Sequence, residues 1–451
     1  MTIMNAQNDA LTQPESPQET NRKLADRISG SPNHGLFGAT LGFFVGFAAV
    51  SLFGPTANLL DENMMMTSVQ LGLLVAMPSL SGSLLRIPFG AWVDTTGGRK
   101  PFLILLLLSA TGMAGLFGLL WLVGPESLTI DYYPLLLVFA LLSGCGIATF
   151  SVGIGQVSYW FPKEKQGWAL GAYAGFGNIA PGLFSYLVPL LIGAIAITAT
   201  YGVWLGFLLL GIAVYYFFAP NAFFFQLRHY GYSFQDAKTA AAELGQELFP
   251  QEGVWTGLIK AAKIWRTWPL VFLYFTTFGG FLALTAWFPT YWQEFFNKPL
   301  AVAGGFTMLY SVLASVIRVP GGIISDKVGG VPTIIVSMTI NLIGAILLIW
   351  GGSMAMAIIG LLLMAIGMGI SNAGVFKLVP QYIEEAVGGG SGWVGGLGAL
   401  GGFVIPPVMG WFVEAQGDAG YANGFLVFVV LSIISLGLVF LLKRTEAGAD
   451  A

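Results

Sequence analysis

Charged side chains are scarce in this chain. Only 9% of its 451 residues are Asp, Glu, Lys or Arg, whereas 56% are hydrophobic. Soluble domains carry roughly 25% charged residues. A chain of this length with so little charge does not have the polar residues to cover a soluble surface, so the composition predicts a protein that crosses a membrane several times.

Cysteine and histidine are almost absent. Cys145 is alone and lies in an apolar run, so neither an intrachain disulfide nor a thiolate metal cluster can form. The two histidines, His34 and His229, both fall in polar segments, which disfavours haem ligation or metal catalysis within the membrane. No nucleophile paired with a base and no cofactor-binding loop is apparent. We therefore expect no cofactor and no enzymatic activity.

Long apolar runs dominate what is present. A helix needs about 20 apolar residues to cross the hydrocarbon core, and the chain offers twelve such segments. The sequence therefore predicts an all-α membrane protein of twelve transmembrane helices in two six-helix halves. The approximate limits of the segments are 36–60, 69–93, 101–123, 134–158, 168–192, 199–219, 268–292, 301–324, 332–351, 355–377, 391–413 and 423–442.

Polar segments separate the predicted domains. The first residues lack the apolar core of a signal peptide, and an Ala-rich amphipathic stretch at 237–248 predicts a surface helix between the halves. The predicted organisation is a disordered cytoplasmic tail (1–33), an N-terminal half (34–219), a cytoplasmic linker (220–267), a C-terminal half (268–443) and a second cytoplasmic tail (444–451).

The distribution of basic residues predicts the orientation of the chain. Lys and Arg concentrate in cytoplasmic loops of membrane proteins. With the N-terminus inside, only Lys298, Arg86 and Arg318 of the 19 basic residues fall elsewhere. We therefore expect both termini in the cytoplasm, with the protein in a bacterial-type inner membrane.

One pattern, R-x-P-x-G-x-x-x-D-x-x-G-G, occurs twice at identical spacing, beginning at Arg86 and at Arg318. Each copy lies in the second span of its half, so the halves are related by an axis along the membrane normal. Asp94 and Asp326 are placed to cap a neighbouring helix or to pair with a loop arginine. The closing glycines permit a tight turn into the next span.

The two arginines lie deep in the membrane. Each is eight residues from the Asp of its motif, about 12 Å deeper at 1.5 Å per residue. An arginine at the centre of a membrane helix costs about 3 kcal/mol or more. Backbone carbonyls or an acid in another span could satisfy it, but no Asp or Glu falls near the middle of any predicted span. Two uncompensated cations predict a bound anion, and the planar guanidinium favours a small monovalent oxyanion.

Two glycine-rich segments, in spans 5 and 11, remove side chains from the helix surface. Their glycines suit close helix packing, and for the glycines alone this interpretation is slightly better than a substrate wall. Asn178 is predicted to face the site, because an amide in the middle of a span needs polar partners. The glycines predicted to permit conformational switching are Gly171, Gly175, Gly177, Gly398 and Gly401.

Several of these segments resemble a known family. GAWVDTTGGRK and, less closely, GIISDKVGG resemble the signature loop of the major facilitator superfamily, and the resemblance covers essentially the whole chain. AGFGNIAPG, GWVGGLGALGGFVIPP and SNAGVFKLVPQYIEEAVGG resemble segments of its nitrate/nitrite porter family. LLRIPFG and VIRVPGG match that family's paired substrate arginines. The resemblance of LYFTTFGGF implies that Tyr274 and Phe278 face the substrate, and Phe150 matches a further aromatic wall residue.

The resemblance implies a monomeric transporter that moves nitrate and nitrite by alternating access. Its expected partners are nitrate, nitrite and membrane lipid, with no nucleic acid. Since no buried acid or histidine is available to carry a proton, exchange of nitrate for nitrite is favoured. The alternatives are proton-coupled nitrate symport and, after it, a small-anion channel or a carrier for another monovalent oxyanion such as formate.

Overall fold

The structure, a computed structural model, describes residues 28–250, 254–350 and 352–447. Throughout these ranges the regular structure is helical. Residues 1–27 of the first predicted tail and 448–451 of the second lie outside the described residues.

Eleven helical stretches in the described ranges are long and apolar enough to cross a membrane. The stretch Glu164–Phe218 has 55 residues, about 80 Å of helix at 1.5 Å per residue, and it breaks at Ala196, whose φ is 64°. It therefore supplies spans 5 and 6. The other spans, numbered 1–4 and 7–12 in chain order, are Pro32–Ser51, Ser68–Thr96, Arg99–Val123, Ile130–Trp160, Thr267–Glu294, Leu300–Val328, Gly330–Ile349, Met354–Tyr382, Glu384–Gln416 and Asp418–Thr445.

Span 1 is shorter than predicted. It ends at Ser51 rather than near residue 60, and the chain turns before a separate short helix, Ala57–Met64. Pro55 lies in the turn and cannot donate a helical hydrogen bond. The Tyr201 hydroxyl, from span 6, donates to the carbonyl oxygen of Leu52 at 2.7 Å. A continuous apolar run thus hides a change of direction.

Spans 2 and 8 are interrupted at equivalent residues, Leu85 and Ile317. Pro88 and Pro320 follow three residues later; proline lacks an N–H and collides with the carbonyl four residues before it. The arginine of the repeated motif is therefore the first residue of a new helical segment in both halves. The segments are Ser68–Leu84 and Arg86–Thr96 in span 2, and Leu300–Val316 and Arg318–Val328 in span 8.

The connection between the halves contains three short helices, Phe223–His229, Phe234–Glu243 and Val254–Lys263. The second is the predicted surface helix, but it begins earlier than expected and ends before Gly245, whose φ is 88°. The third, here named the linker helix, packs against the start of span 11, where Lys260 forms a 3.0 Å ion pair with Glu385.

The halves touch closely at the end of the molecule away from the linker. A Cβ added to Gly72 would lie 2.6 Å from the carbonyl oxygen of Pro406, and one added to Gly304 would lie 2.2 Å from that of Ser185. Asn58 Nδ2 also donates to Glu294 Oε1 at 2.7 Å across the two halves. These contacts close one end of the interface, so access between the halves is from the other end.

Candidate functional site

A cavity of about 1420 Å³ lies between the two halves. Its walls come from spans 2, 4 and 5 of the first half, from spans 8, 10 and 11 of the second, and from the linker helix. It extends from Arg86 and Arg318 to the motif carboxylates Asp94 and Asp326. The cavity therefore opens on the face of the molecule that carries the linker.

Arg86 is completely buried in the wall of this cavity. Its Nη1 donates to the carbonyl oxygen of Gly395, in span 11, at 3.1 Å. Nε and Nη2 have no hydrogen-bond partner among the described residues. The guanidinium carbon lies 4.9 Å from the ring centroid of Phe150 and 5.0 Å from that of Phe278. Backbone and aromatic contacts thus satisfy only part of this cation.

Arg318 reaches the same aromatic ring from the other half. It is partly exposed to the cavity, and its guanidinium carbon lies 5.7 Å from the Phe278 centroid. With Arg86 at 5.0 Å from that centroid, the two guanidinium carbons are separated by at most the sum of the distances, 10.7 Å. Neither arginine forms an ion pair with a carboxylate in the described ranges. Two cations therefore share one site.

The predicted aromatic residues lie around these cations. The Tyr274 and Phe278 rings are stacked, 4.8 Å apart with an interplanar angle of 9°, and Phe150 lies 6.0 Å from Phe278. Between Tyr274 and Gly280 the backbone of span 7 forms a π-helical turn, a distortion that is frequent at functional sites. The buried Tyr274 hydroxyl has no hydrogen-bond partner in the part of the chain that is described.

Asn178 lies beside the cavity rather than on its wall. It is buried, and its backbone carbonyl accepts a 3.1 Å hydrogen bond from Ser315 Oγ in span 8. Both polar atoms of its side chain lack partners among the described residues. In this conformation Asn178 is therefore at the contact between spans 5 and 8, with an unsatisfied amide.

The predicted switching glycines fall into two groups. Gly171 and Gly175 line the cavity, and a Cβ added to either would meet no atom within 4 Å. A Cβ on the other three would collide with an aromatic residue or with backbone. The collisions are Gly177 with the Phe43 ring at 1.8 Å, Gly398 with Tyr274 Cβ at 2.8 Å, and Gly401 with the Phe275 carbonyl oxygen at 2.5 Å. Close packing accounts for the second group.

Asp94 and Asp326 lie at the mouth of the cavity with different partners. The Tyr159 hydroxyl, from span 4, donates to Asp94 Oδ1 at 2.5 Å. Lys377, from span 10, contacts Asp326 Oδ1 at 2.9 Å and also donates to the Ser325 carbonyl oxygen at 2.6 Å. Each motif carboxylate is therefore joined to the fourth span of its own half.

Sequence reasoning missed Asn372 and Ser315, two polar residues that line the cavity near the arginines. Asn372 is 2% exposed, and its side-chain oxygen has no partner among the described residues. It lies in the middle of span 10, so the argument applied to Asn178 would have found it. The Gly395 carbonyl could not be found in this way, because a backbone acceptor leaves no residue-type signal.

Solved structures show the same architecture. The chain aligns with the Escherichia coli xylose transporter XylE with a TM-score of 0.71 and 14% identity, covering 91% of this chain and 98% of that one. It aligns with the human organic anion transporter MFSD10 with a TM-score of 0.61 and 18% identity, covering 91% and 100%. These similarities establish the transporter fold.

Comparison with sequence relatives identifies the family of transporters to which the chain belongs. The model of the Major Facilitator Superfamily matches residues 39–406 and 300–450. The chain is 30% identical to the "probable nitrate/nitrite antiporter NarK1" of Thermus thermophilus, over 93% of this chain and 92% of that protein. It is 31% identical to the "probable nitrate transporter NarT" of Staphylococcus carnosus, over 88% and 93%. The chain belongs to the nitrate/nitrite porter family of the major facilitator superfamily.

The family and the fold confirm the predicted multi-pass all-α membrane protein and its assignment as a transporter rather than an enzyme. The substrate-contacting roles of individual residues stay predictions.

Proposed function

We propose that the protein exchanges nitrate for nitrite by alternating access, with the anion held between Arg86 and Arg318. One observation carries the proposal: two guanidinium groups approach the same ring, Phe278, at the inner end of an open cavity, with no carboxylate paired to either among the described residues. The curated relatives are named for nitrate and nitrite transport, which supports this choice of anion.

The hydrogen-bonding groups suit a planar oxyanion. The two nitrogens of Arg86 that lack partners, Nε and Nη2, lie on one edge of the guanidinium, the edge that binds two oxygens of an anion in parallel. The buried hydroxyl of Tyr274 lies beside the two arginines and supplies a further donor. The flat faces of Phe150 and Phe278 beside the Arg86 guanidinium suit a planar ligand better than a bulky one.

Charge favours exchange over transport of one anion alone. Two unit cations no more than 10.7 Å apart repel by at least about 1.5 kcal/mol at an effective dielectric constant of about 20. A bound monovalent anion offsets this repulsion, so the loaded site closes more readily than the empty one. A carrier that changes conformation only when loaded exchanges one anion for another.

Proton-coupled nitrate symport is the alternative. The carboxylates of the cavity are Asp94, Asp326, Glu384 and Glu385, and all belong to the mouth rather than to the inner end where the arginines lie. A proton carrier beside the anion would therefore have to be a tyrosine, a water molecule or the substrate.

We further propose that the open face is cytoplasmic, which makes this conformation inward-facing. The linker and its basic residues lie on that face, in agreement with the positive-inside rule. The same rule supports a cytoplasmic location for both termini. We also propose two halves, 34–219 and 268–443, joined by the linker 220–267, and a monomer in a bacterial-type inner membrane.

The decisive experiment is flux in proteoliposomes of the purified protein. We expect uptake of labelled nitrate only when nitrate or nitrite is present inside, and little uptake into empty vesicles under a pH gradient. Accumulation driven by the pH gradient alone would overturn exchange in favour of symport, and a conductance far above carrier turnover would indicate a channel. A binding assay in which nitrate, nitrite, formate and chloride compete tests which anion the site prefers.

A further inference from the structure

The linker helix, Val254–Lys263, has two unlike faces. Leu258 and Ala261 are buried, whereas Trp255 and Ile259, one helical turn apart, are 63% and 57% exposed. Large apolar side chains repeated at this spacing form a stripe along a helix. In a helix outside the predicted spans, such a stripe is typical of a segment that lies in a membrane interface.

The buried face holds the beginning of span 11. Trp393 Nε1 donates to the Leu258 carbonyl oxygen at 2.9 Å, and Lys260 pairs with Glu385 at 3.0 Å. The backbones also approach closely, since a Cβ added to Gly389 would lie 2.2 Å from the Gly257 carbonyl oxygen. The linker helix and the first turns of span 11 are therefore held together by direct contacts, so a movement of one displaces the other.

The linker helix lies close in the chain to the start of a membrane span. The helix ends at Lys263 and span 7 begins at Thr267, so the helix lies within one turn of the membrane boundary. Trp265 and Trp268, at that boundary, are 46% and 45% exposed. Tryptophan is enriched at the interface between lipid and water, which places the stripe at the depth of the lipid headgroups.

Among the side chains that the structure describes, the surrounding charge is mainly positive. Lys263 is exposed on the linker helix. Arg266 Nη2 contacts the carbonyl oxygen of Thr445 at 3.4 Å, which brings the end of span 12, with exposed Lys443 and Arg444, to the same region. Glu385 is paired with Lys260, and Glu384 is the other exposed acid at the start of span 11. A surface of this charge is complementary to anionic headgroups.

We propose that the linker helix binds the surface of an anionic phospholipid leaflet. Trp255 and Ile259 enter the headgroup region, and Lys263, Lys443 and Arg444 contact the headgroup phosphates. Because its opposite face holds span 11, whose Gly395 carbonyl accepts the Arg86 hydrogen bond, lipid bound at the surface fixes the helix that contacts the anion site.

A site-directed fluorophore tests the contact without reference to transport. Cys145 is the single cysteine, so Ile259→Cys in a Cys145→Ser background carries one label. In nanodiscs with a spin label near the headgroup, we expect strong quenching when phosphatidylglycerol is present and at least twofold less in phosphatidylcholine alone. Lys238→Cys, exposed on another helix of the linker, is the unquenched control. Equal quenching in both lipids would overturn an anionic lipid as the partner. Weak quenching in both lipids together with dimer formation would show that the stripe binds a second copy of the chain.

Charge removal tests the basic part of the surface. A cation near an anionic membrane contributes about fivefold to the binding constant, so Lys263→Gln should weaken membrane binding of the linker helix about fivefold and shift half-maximal quenching to a higher phosphatidylglycerol fraction. Lys238→Gln is the matched control and should leave that fraction unchanged. An unshifted titration for Lys263→Gln would overturn the proposed headgroup contact, whatever the result of the transport assay.

Discussion

The two copies of the repeated motif share a backbone but not an environment. Both begin with an arginine that follows a one-residue break in its span. Arg86 is completely buried and bonded to the Gly395 carbonyl, whereas Arg318 is partly exposed to the cavity. At the other end, Asp94 is bonded to a tyrosine and Asp326 to a lysine. Local sequence therefore determines the break, and the neighbouring spans determine the chemistry.

This asymmetry has a structural source. Spans 2 and 11 approach closely beside Arg86, since a Cβ on Gly396 would lie 2.6 Å from Ile87 Cγ1. Span 5 leaves open space beside the cavity at Gly171 and Gly175. The first arginine is thus enclosed by the opposite half, and the second faces the open side of the cavity.

The largest effect is expected from Arg86→Lys. Lysine keeps the charge but loses the two-nitrogen edge and the fork that reaches Gly395. Hydrogen bonds to charged groups contribute about 1.5–3 kcal/mol each, so loss of two should lower exchange about a hundredfold or more. Flux in proteoliposomes and nitrate binding to purified protein measure this. Unchanged size-exclusion behaviour is the folding control, and retained nitrate affinity would remove Arg86 from the site.

A smaller effect is expected from Arg318→Lys. Because Arg318 is partly exposed, water can solvate a lysine ammonium there, and the main loss is one geometrically matched contact with the anion. We expect nitrate affinity to fall about tenfold, which corresponds to about 1.4 kcal/mol. Isothermal titration of both variants compares them directly. An effect equal to that of Arg86→Lys would mean that the asymmetry in this conformation has no functional consequence.

The sequence predicted the spans and the paired arginines because each has a signal in residue type and spacing, whereas Phe150, Tyr274 and Phe278 were implied only by the resemblance to the family. It predicted a first span that continues to residue 60, because the apolar run extends past Ser51 and gives no sign of the turn at Pro55. It also treated five glycines alike, although Gly175 faces the cavity and Gly177 packs against Phe43. Helix rotation decides which of two nearby residues faces the cavity, and it depends on packing between distant spans.

The tyrosine partner of the first motif carboxylate is expected to matter more for stability than the lysine partner of the second. Tyr159→Phe leaves the half-buried Asp94 without its 2.5 Å hydrogen bond. The expected cost is about 1 kcal/mol of unfolding free energy, a fall in melting temperature of about 2–4 °C for one half of the molecule unfolding as a unit. Differential scanning fluorimetry measures it, with Tyr216→Phe at an exposed tyrosine as the matched control. No difference between the two variants would show that the Asp94 bond is dispensable.

The smallest effect is expected from Lys377→Gln. The Asp326 side chain is 76% exposed, and exposed ion pairs contribute only about 0–1 kcal/mol. A glutamine amide can still donate to the Ser325 carbonyl, the second contact of Lys377. We expect a melting temperature within about 1 °C of the wild type and a difference that disappears at high salt, because screening removes what the exposed pair contributes. A larger and salt-independent loss than that of Tyr159→Phe would reverse the comparison and make the second copy of the motif the more tightly held one.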